Sequence, residues 1–227
     1  MNSVNLKKMY LSTNENTIAT WKKNAGIGKI REENYYDPLK LALAAGIKPL
    51  VSGYAADLIN ELKRLTKDDP LADTLPTQGF HFTFLPLTLP LYTVNEQLPV
   101  KVEQLIKFWD VFHSKNIFIR DLQLVALPSQ LLLAGIPDRS AINLRQSFCE
   151  KVLGSHWKNE LLMRHAGGPL PAPFWHSTLL RYNADFLPLT LRQFFIENQT
   201  NNFGDVVGEL TLAKVNYNWT KCYPLKN

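Results

Sequence analysis

Hydrophobic side chains recur at helical spacing in several parts of the chain. Leu58, Ile59 and Leu62 share one helical face, between the start signal Ser52 and the terminating Pro70, which predicts an amphipathic helix. Further helices are predicted over residues 102–112, after the N-cap residue Asp138, around residues 189–196, and at residues 38–45 within an otherwise polar N-terminal stretch.

Runs rich in β-branched, aromatic and aliphatic residues alternate with these helices. They predict strands over residues 80–87, 117–127, 130–135, 174–182 and 206–217, with residues 167–173 as a loop. Pro128 and Ser129 separate two of the runs closely enough for a hairpin. A hairpin and a closing strand do not fit a purely parallel sheet, so the pattern predicts an α+β fold with mixed or antiparallel sheets.

The composition is that of a globular protein. The chain has 227 residues, of which 45% are hydrophobic and 20% charged, and this excludes disordered, collagen-like and coiled-coil classes. Cys149 and Cys222 are too few for a disulfide framework or a cysteine-rich zinc site. The chain shows no signal peptide, and polar residues interrupt its most apolar region, Leu122 to Ile136. We therefore expect a cytoplasmic protein without membrane contact.

The charge balance changes this picture only slightly. Lys and Arg number 25 and Asp and Glu 20, which gives a formal net charge of +5. The excess is spread along the chain, so it favours an anionic ligand without being a nucleic-acid footprint. The histidines have no metal-ligand spacing such as His-x-x-x-His, and we expect neither a metal nor a cofactor.

Two short motifs carry the chemistry. His81-Phe82-Thr83-Phe84 and His176-Ser177-Thr178-Leu179 each read His-x-Thr-hydrophobic and each fall in a predicted strand. Because strand residues two apart share a face, the imidazole and the hydroxyl of each motif point the same way. If the two strands are neighbours, two imidazoles and two hydroxyls converge. A strand histidine alone is more often structural, and it is the pairing that favours function.

Such a set suits phosphodiester chemistry. Imidazole has an ordinary pKa near 6.5, so one ring can accept a proton from an attacking hydroxyl or water while the other donates one to the leaving oxygen. Threonine hydroxyls can donate hydrogen bonds to the non-bridging oxygens, where charge accumulates. This chemistry needs no metal.

The paired motifs resemble those of the 2H phosphoesterase superfamily, over roughly residues 46–227. The resemblance implies a bilobal α+β fold in which two antiparallel sheets face a central cleft, with helices on the outside. It also implies metal-independent action on 2′,3′-cyclic phosphates, 2′-5′ linkages or related RNA ends, with His81 and His176 as the acid–base pair and Thr83 and Thr178 as phosphate ligands. Residues 1–45 would be a partly irregular N-terminal extension.

Three residues near the motifs are further candidates for substrate binding. Regular alternation places Tyr182 on the face of His176, whereas Arg181 points away unless the strand bulges. Arg181 would bind phosphate through its guanidinium. Tyr182 would stack on a base or bind phosphate, and the loop residue Tyr92 would stack on a base. His165, near Arg164, is expected on the solvated surface, and Phe82 and Trp175 are expected in the core.

Two other classes of function stay open at the level of sequence. The chain could be a module that binds nucleotides or RNA ends without turnover, or a protein-interaction domain that acts through its N-terminal extension. A nucleotide or RNA end is the expected partner, and nothing in the sequence calls for more than a monomer.

Overall fold

Two antiparallel sheets form the frame of the computed structural model, which describes residues 3–33, 36–51 and 53–225. The strands are β1 (Ala42–Ile47), β2 (Ala72–Thr74), β3 (Phe82–Pro86), β4 (Asn116–Leu127), β5 (Gln130–Pro137), β6 (His176–Tyr182), β7 (Val206–Glu209), β8 (Thr211–Val215) and β9 (Cys222–Pro224). The helices are α1 (Ser3–Lys23), α2 (Gly53–Leu65), α3 (Val102–Trp109), α4 (Arg139–Leu153), α5 (Lys158–Arg164) and α6 (Leu189–Asn198), with a short 3₁₀ helix at Thr77–Gly79.

The order of strands separates the chain into two lobes. One sheet runs β3-β1-β8-β9 and the other β2-β6-β5-β4-β7, and all recorded pairings are antiparallel. Buried side chains of both sheets belong to one hydrophobic cluster, which holds the lobes against each other. The predicted α+β class with two antiparallel sheets is confirmed.

Most predicted elements are present with small shifts in their ends. The hairpin is β4–β5, the helix that follows Ser52 is α2, and the loop over residues 167–173 has neither helix nor strand. Ser52 itself lies outside the described residues. Asp138 caps α4, since its Oδ1 accepts a hydrogen bond from the Ala141 amide at 2.6 Å.

The predicted helix at residues 38–45 is wrong. Strand β1 begins there instead, and the predicted domain boundary at residue 46 falls within it. The run Ala-Leu-Ala-Ala-Gly-Ile favours a helix by propensity, but it lies between β3 and β8 and is buried on both faces. Pairing with two neighbours overrides the weak local preference.

Helix α1 was not predicted, because its buried face is partly polar. Tyr10, Asn14, Thr17 and Trp21 lie on that face, against β4. The Asn14 side chain bonds the Leu124 carbonyl and the Ala126 amide, and the Thr17 hydroxyl donates to the Ala126 carbonyl. Strand β7 pairs with β4 only as far as Ile119, so the backbone groups farther along this edge of β4 need other partners. The side chains of Asn14 and Thr17 supply hydrogen bonds to them. The helix therefore serves as a cover for an open sheet edge.

The last predicted strand, over residues 206–217, is two strands in different sheets. Strand β7 pairs with β4 in the five-stranded sheet, and β8 pairs with β1 in the four-stranded sheet. The chain crosses from one lobe to the other at the buried Leu210. A continuous apolar pattern does not reveal such a crossing, because both strands bury the same kind of residue.

Candidate active site

The first His-x-Thr motif lies at the entrance of β3. His81 precedes the strand by one residue, and Thr83 pairs with Gly46 of β1. The register then shifts, because Ala45 pairs with Leu85 and leaves Phe84 as an extra residue in β3. The motif thus ends in a β-bulge at its hydrophobic position.

The second motif repeats this arrangement in the other sheet. His176 begins β6 and pairs with Ala134, and Thr178 pairs with Leu132. Leu131 pairs with Leu180, so Leu179 is the extra residue of a second bulge. Each lobe therefore contributes one histidine, one threonine and one bulge directly after the threonine.

The bulge in β6 reverses the expected orientation of the residues that follow it. Arg181 was predicted to point away from His176 unless the strand bulged, and it does line the same cleft as His176 and Thr178. Tyr182 was predicted on the face of His176, and this is wrong, since it is absent from the described lining of the cleft and is buried, with Asp69 as its hydrogen-bond partner. One extra residue moves all later side chains to the opposite face.

The two motifs border one cleft with a cavity of about 280 Å³. His81 and Thr83 line it from one sheet and His176 and Thr178 from the other. Three arginines and a third histidine also line it, namely Arg145, Arg164, Arg181 and His165. Among the described lining residues there is no Asp or Glu, so the cleft presents positive charge that an anion can neutralise.

His81 is held in a defined orientation. Its Nδ1 lies 2.7 Å from the Gly79 carbonyl oxygen and donates to it, because a carbonyl only accepts, and this leaves Nε2 free. The Trp219 ring stacks on the imidazole with centroids 5.1 Å apart. Burial, with smaller contributions from the charges of Arg181, His176 and Lys48, lowers the pKa of His81 to about 3, and the Gly79 hydrogen bond opposes this shift.

Trp219 fits over His81 only because residue 46 is a glycine. A Cβ at Gly46 would lie 2.6 Å from the Trp219 Cη2 atom and 2.7 Å from the Phe82 carbonyl oxygen. Trp219 itself has a positive φ of 56° and is buried. Sequence reasoning missed this residue, because it comes from a loop far from either motif and no local pattern marks it.

His176 is less restrained than His81. Its Nδ1 is buried and has no hydrogen-bond partner in the described part of the chain, and the Phe174 ring meets the imidazole edge-on at 6.2 Å. Burial lowers the pKa of His176 to about 4, with contributions from the charges of Arg181 and Arg145. Without a bound anion, both imidazoles are therefore neutral near pH 7.

Arg145 and His165 also line the cleft, and both have backbone carbonyl partners. The Arg145 guanidinium donates to the Phe174 and Pro173 carbonyls at 3.2 and 3.3 Å and lies 3.8 Å from the Trp175 ring centroid. His165 was expected on the solvated surface, and this is wrong, because its half-buried ring lines the cleft and its Nε2 lies 3.0 Å from the Pro86 carbonyl oxygen. No sequence motif around either residue marks it as part of a functional site.

Arg181 lines the cleft beside two tyrosines. Its guanidinium carbon is 5.4 Å from the Tyr36 ring centroid and 5.1 Å from that of Tyr217, and these two rings stack at 5.5 Å. Its Nη1 is 3.9 Å from the Asp73 carboxylate, and Arg181 as a whole residue is 8% exposed. The guanidinium is thus positioned by aromatic faces and one distant carboxylate, and this leaves donors for a ligand.

The remaining sequence candidates lie away from the cleft. Tyr92 is outside the described lining and forms a backbone bridge with Leu41. Phe82 and Trp175 are buried, as predicted. Within residues 3–33, 36–51 and 53–225, no group of three or more His, Cys, Asp or Glu side chains is arranged to hold a metal ion.

This arrangement of groups can bind an anion and move protons around it. Hydroxyls of Thr83 and Thr178 and the guanidinium of Arg181 are hydrogen-bond donors at one cleft, and the free Nε2 of His81 and the ring of His176 can each accept or donate a proton. A negative charge placed between the imidazoles opposes the burial that keeps them neutral and raises their pKa values.

Comparison with known proteins bears on the fold. No protein-family model matches the sequence, and no curated protein matches it. Among solved structures, the crystal structure of E. coli LigT complexed with 3′-AMP is similar, with a TM-score of 0.50 and 14% identity over 82% of this chain and 96% of LigT. The chain therefore has the LigT fold, as expected from the resemblance of its paired motifs, with one His-x-Thr-hydrophobic motif in each lobe.

No helix in the described residues is both long enough and apolar enough to span a membrane.

Proposed function

We propose that the chain is a 2H phosphoesterase that cleaves phosphodiester bonds in 2′,3′-cyclic phosphates, 2′-5′ linked nucleotides or related RNA ends. The single observation that carries the proposal is the meeting of the two motifs at one cleft that is rich in Arg and His and has no carboxylate in its described lining. The LigT fold supports it, because the neighbouring structure holds 3′-AMP.

In the proposed mechanism, the phosphodiester anion binds between Thr83 and Thr178, and Arg181 neutralises part of its charge. The hydroxyls donate to the non-bridging oxygens, where negative charge grows in the transition state. The arrival of the anion raises the pKa of the imidazoles, so that one of them becomes protonated while the other stays neutral.

The two imidazoles then exchange protons with the reacting oxygens. The neutral ring takes a proton from the attacking water or hydroxyl as its oxygen forms a bond to phosphorus. The protonated ring gives its proton to the leaving oxygen as the old P–O bond breaks, and the proton count is balanced. His81 is suited to either role through Nε2, since Nδ1 is engaged with Gly79.

The test is turnover of 2′,3′-cyclic nucleotides and 2′-5′ dinucleotides with EDTA present. His81→Ala and His176→Ala should each lower kcat by at least ~10²-fold, the usual contribution of a general acid or base. His156→Ala is the matched control, because that histidine is exposed and outside the described lining of the cleft. Equal rates in wild type and in both cleft variants would contradict the proposal, and tight binding without turnover by wild type would favour a binding module.

A further inference from the structure

One hydroxyl of helix α1 is built into the end of the β5–β6 ladder. Strand β6 begins at His176, which pairs with Ala134 of β5. One residue before this pair the two chains are still joined, because the Gly135 amide donates to the Trp175 carbonyl at 3.0 Å. The Tyr10 hydroxyl supplies a second link there, since it accepts from the Trp175 amide at 3.2 Å and donates to the Gly135 carbonyl at 2.9 Å. A side chain of α1 therefore completes the sheet directly before the second motif.

The inserted oxygen sets the spacing of the two chains at this point. A direct N–H···O bond brings its nitrogen and oxygen to about 2.9 Å. With the Tyr10 hydroxyl between them, the Trp175 amide and the Gly135 carbonyl are held farther apart. Tyr10 is fully buried, and this burial raises the pKa of its hydroxyl well above the usual range, so the hydroxyl keeps its proton and remains a donor. Without it, a buried donor and a buried acceptor lose their partner unless the chains move together.

Two side chains, those of Tyr10 and Arg145, hold the segment that leads into β6. The Arg145 guanidinium donates to the carbonyls of Pro173 and Phe174. The Tyr10 ring meets the Phe174 ring edge-on, with centroids 4.9 Å apart, and the Phe174 ring meets the His176 imidazole in the same way at 6.2 Å. Contacts from α1 thus reach the imidazole through the backbone and through an aromatic ring.

His176 depends on these contacts because it has no hydrogen bond of its own. The Nδ1 atom of His81 donates to the Gly79 carbonyl, whereas the buried Nδ1 of His176 has no hydrogen-bond partner in the described residues. The position of the His176 ring is therefore set by its backbone and by the side chains packed against it. A misplacement of about 1 Å at a reacting group can lower a rate by about 10²-fold.

We propose that Tyr10 is a positioning residue for His176, which makes α1 a part of the catalytic domain. This inference rests on the proposed function, in which His176 transfers a proton. Tyr10 is fully buried and lies outside the described lining of the cleft, so it acts through the Trp175 backbone and the Phe174 ring. The N-terminal extension predicted over residues 1–45 then supplies an element that the second motif needs.

The experiment measures turnover of a 2′,3′-cyclic nucleotide and the NMR signals of the imidazoles in Tyr10→Phe. This change keeps the aromatic ring against Phe174 and removes only the oxygen. We expect kcat to fall about 10-fold or more while KM stays within about 3-fold of wild type, because the phosphate ligands are retained. The signals of His176 should shift and those of His81 should not, since only His176 follows the segment that Tyr10 holds.

Thr17→Val is the matched control. It also removes one buried hydroxyl of α1, but that hydroxyl donates to the Ala126 carbonyl of β4 at 2.8 Å, away from β6. Its loss of stability in urea unfolding should be similar to that of Tyr10→Phe, because each change removes the hydrogen bonds of one buried hydroxyl. We expect its kcat within about 2-fold of wild type and unshifted signals for both imidazoles.

The two measurements separate this inference from the proposed function. If wild type turns over none of the substrates, the proposed function fails, and the imidazole signals still test the position of His176. Phe174→Leu is the second variant if Tyr10→Phe does not fold, and it should lower kcat about 10-fold or more by breaking the ring contact. Wild-type kcat with unshifted His176 signals in Tyr10→Phe, an equal loss of kcat in Thr17→Val, or wild-type kcat in Phe174→Leu would overturn the inference.

Discussion

Gly46→Ala tests whether Trp219 holds His81 in its buried, neutral state. The added Cβ would lie 2.6 Å from the Trp219 Cη2 atom, about 1 Å inside ordinary carbon contact, and 2.7 Å from the Phe82 carbonyl oxygen, which is backbone and cannot move aside cheaply. Trp219 must therefore shift off the imidazole. Overpacking of this kind costs about 1–3 kcal/mol of unfolding free energy.

The displacement has a second, site-specific effect. Burial is the largest cause of the low pKa of His81, about 3, and water admitted beside a displaced Trp219 lessens that burial. We expect the pKa of His81 in Gly46→Ala to rise by more than about 1 unit, toward its ordinary value near 6.5. We also expect kcat/KM for a cyclic nucleotide to fall about 10-fold or more, since the imidazole loses its fixed position.

Two glycines provide controls for this experiment. Gly208→Ala brings a Cβ to 2.9 Å from the Ile47 Cβ atom, so it should lower stability without touching Trp219. Gly26→Ala meets nothing within 4 Å and should be neutral. Urea unfolding gives the stabilities, and NMR titration of the imidazoles gives the pKa values. The reasoning is refuted if Gly46→Ala loses stability while the His81 pKa and the rate stay at wild-type values.

Two further predictions concern stability. The folded-state pKa values of His81 and His176, about 3 and 4, lie below the unfolded value near 6.5, so the unfolded chain takes up protons first as the pH falls. We expect each histidine to remove roughly 2 kcal/mol of stability between pH 7 and pH 5, and urea unfolding of the His81→Ala/His176→Ala double variant should lack that loss. Arg192→Lys should cost about 2–4 kcal/mol in urea unfolding, because the buried guanidinium donates to the carbonyls of Leu187, Trp21, Asn24 and Gly26 and an ammonium cannot match this geometry. A cost below about 0.5 kcal/mol would show that water replaces these bonds.

Local signals in the sequence were sufficient for several elements. The apolar stripe of α2, the Asp138 cap of α4 and the tight hairpin β4–β5 each depend on residues close in the chain, and each is present. Helix α1 was missed for the opposite reason. Its inward positions Asn14 and Thr17 are polar, and they make sense only beside the open edge of β4, more than a hundred residues away.

By itself, the sequence determined that two His-x-Thr-hydrophobic motifs exist, one in each half of the chain, and that an α+β fold carries them. The tertiary structure decided which side chains join them. Regular alternation gave the wrong face for Arg181 and Tyr182, because the bulge at Leu179 depends on how β5 pairs with β6. The contact between Trp219 and His81 likewise needs the small residue Gly46 on a third segment. Strand register and close packing arise between distant segments, so a local pattern cannot encode them.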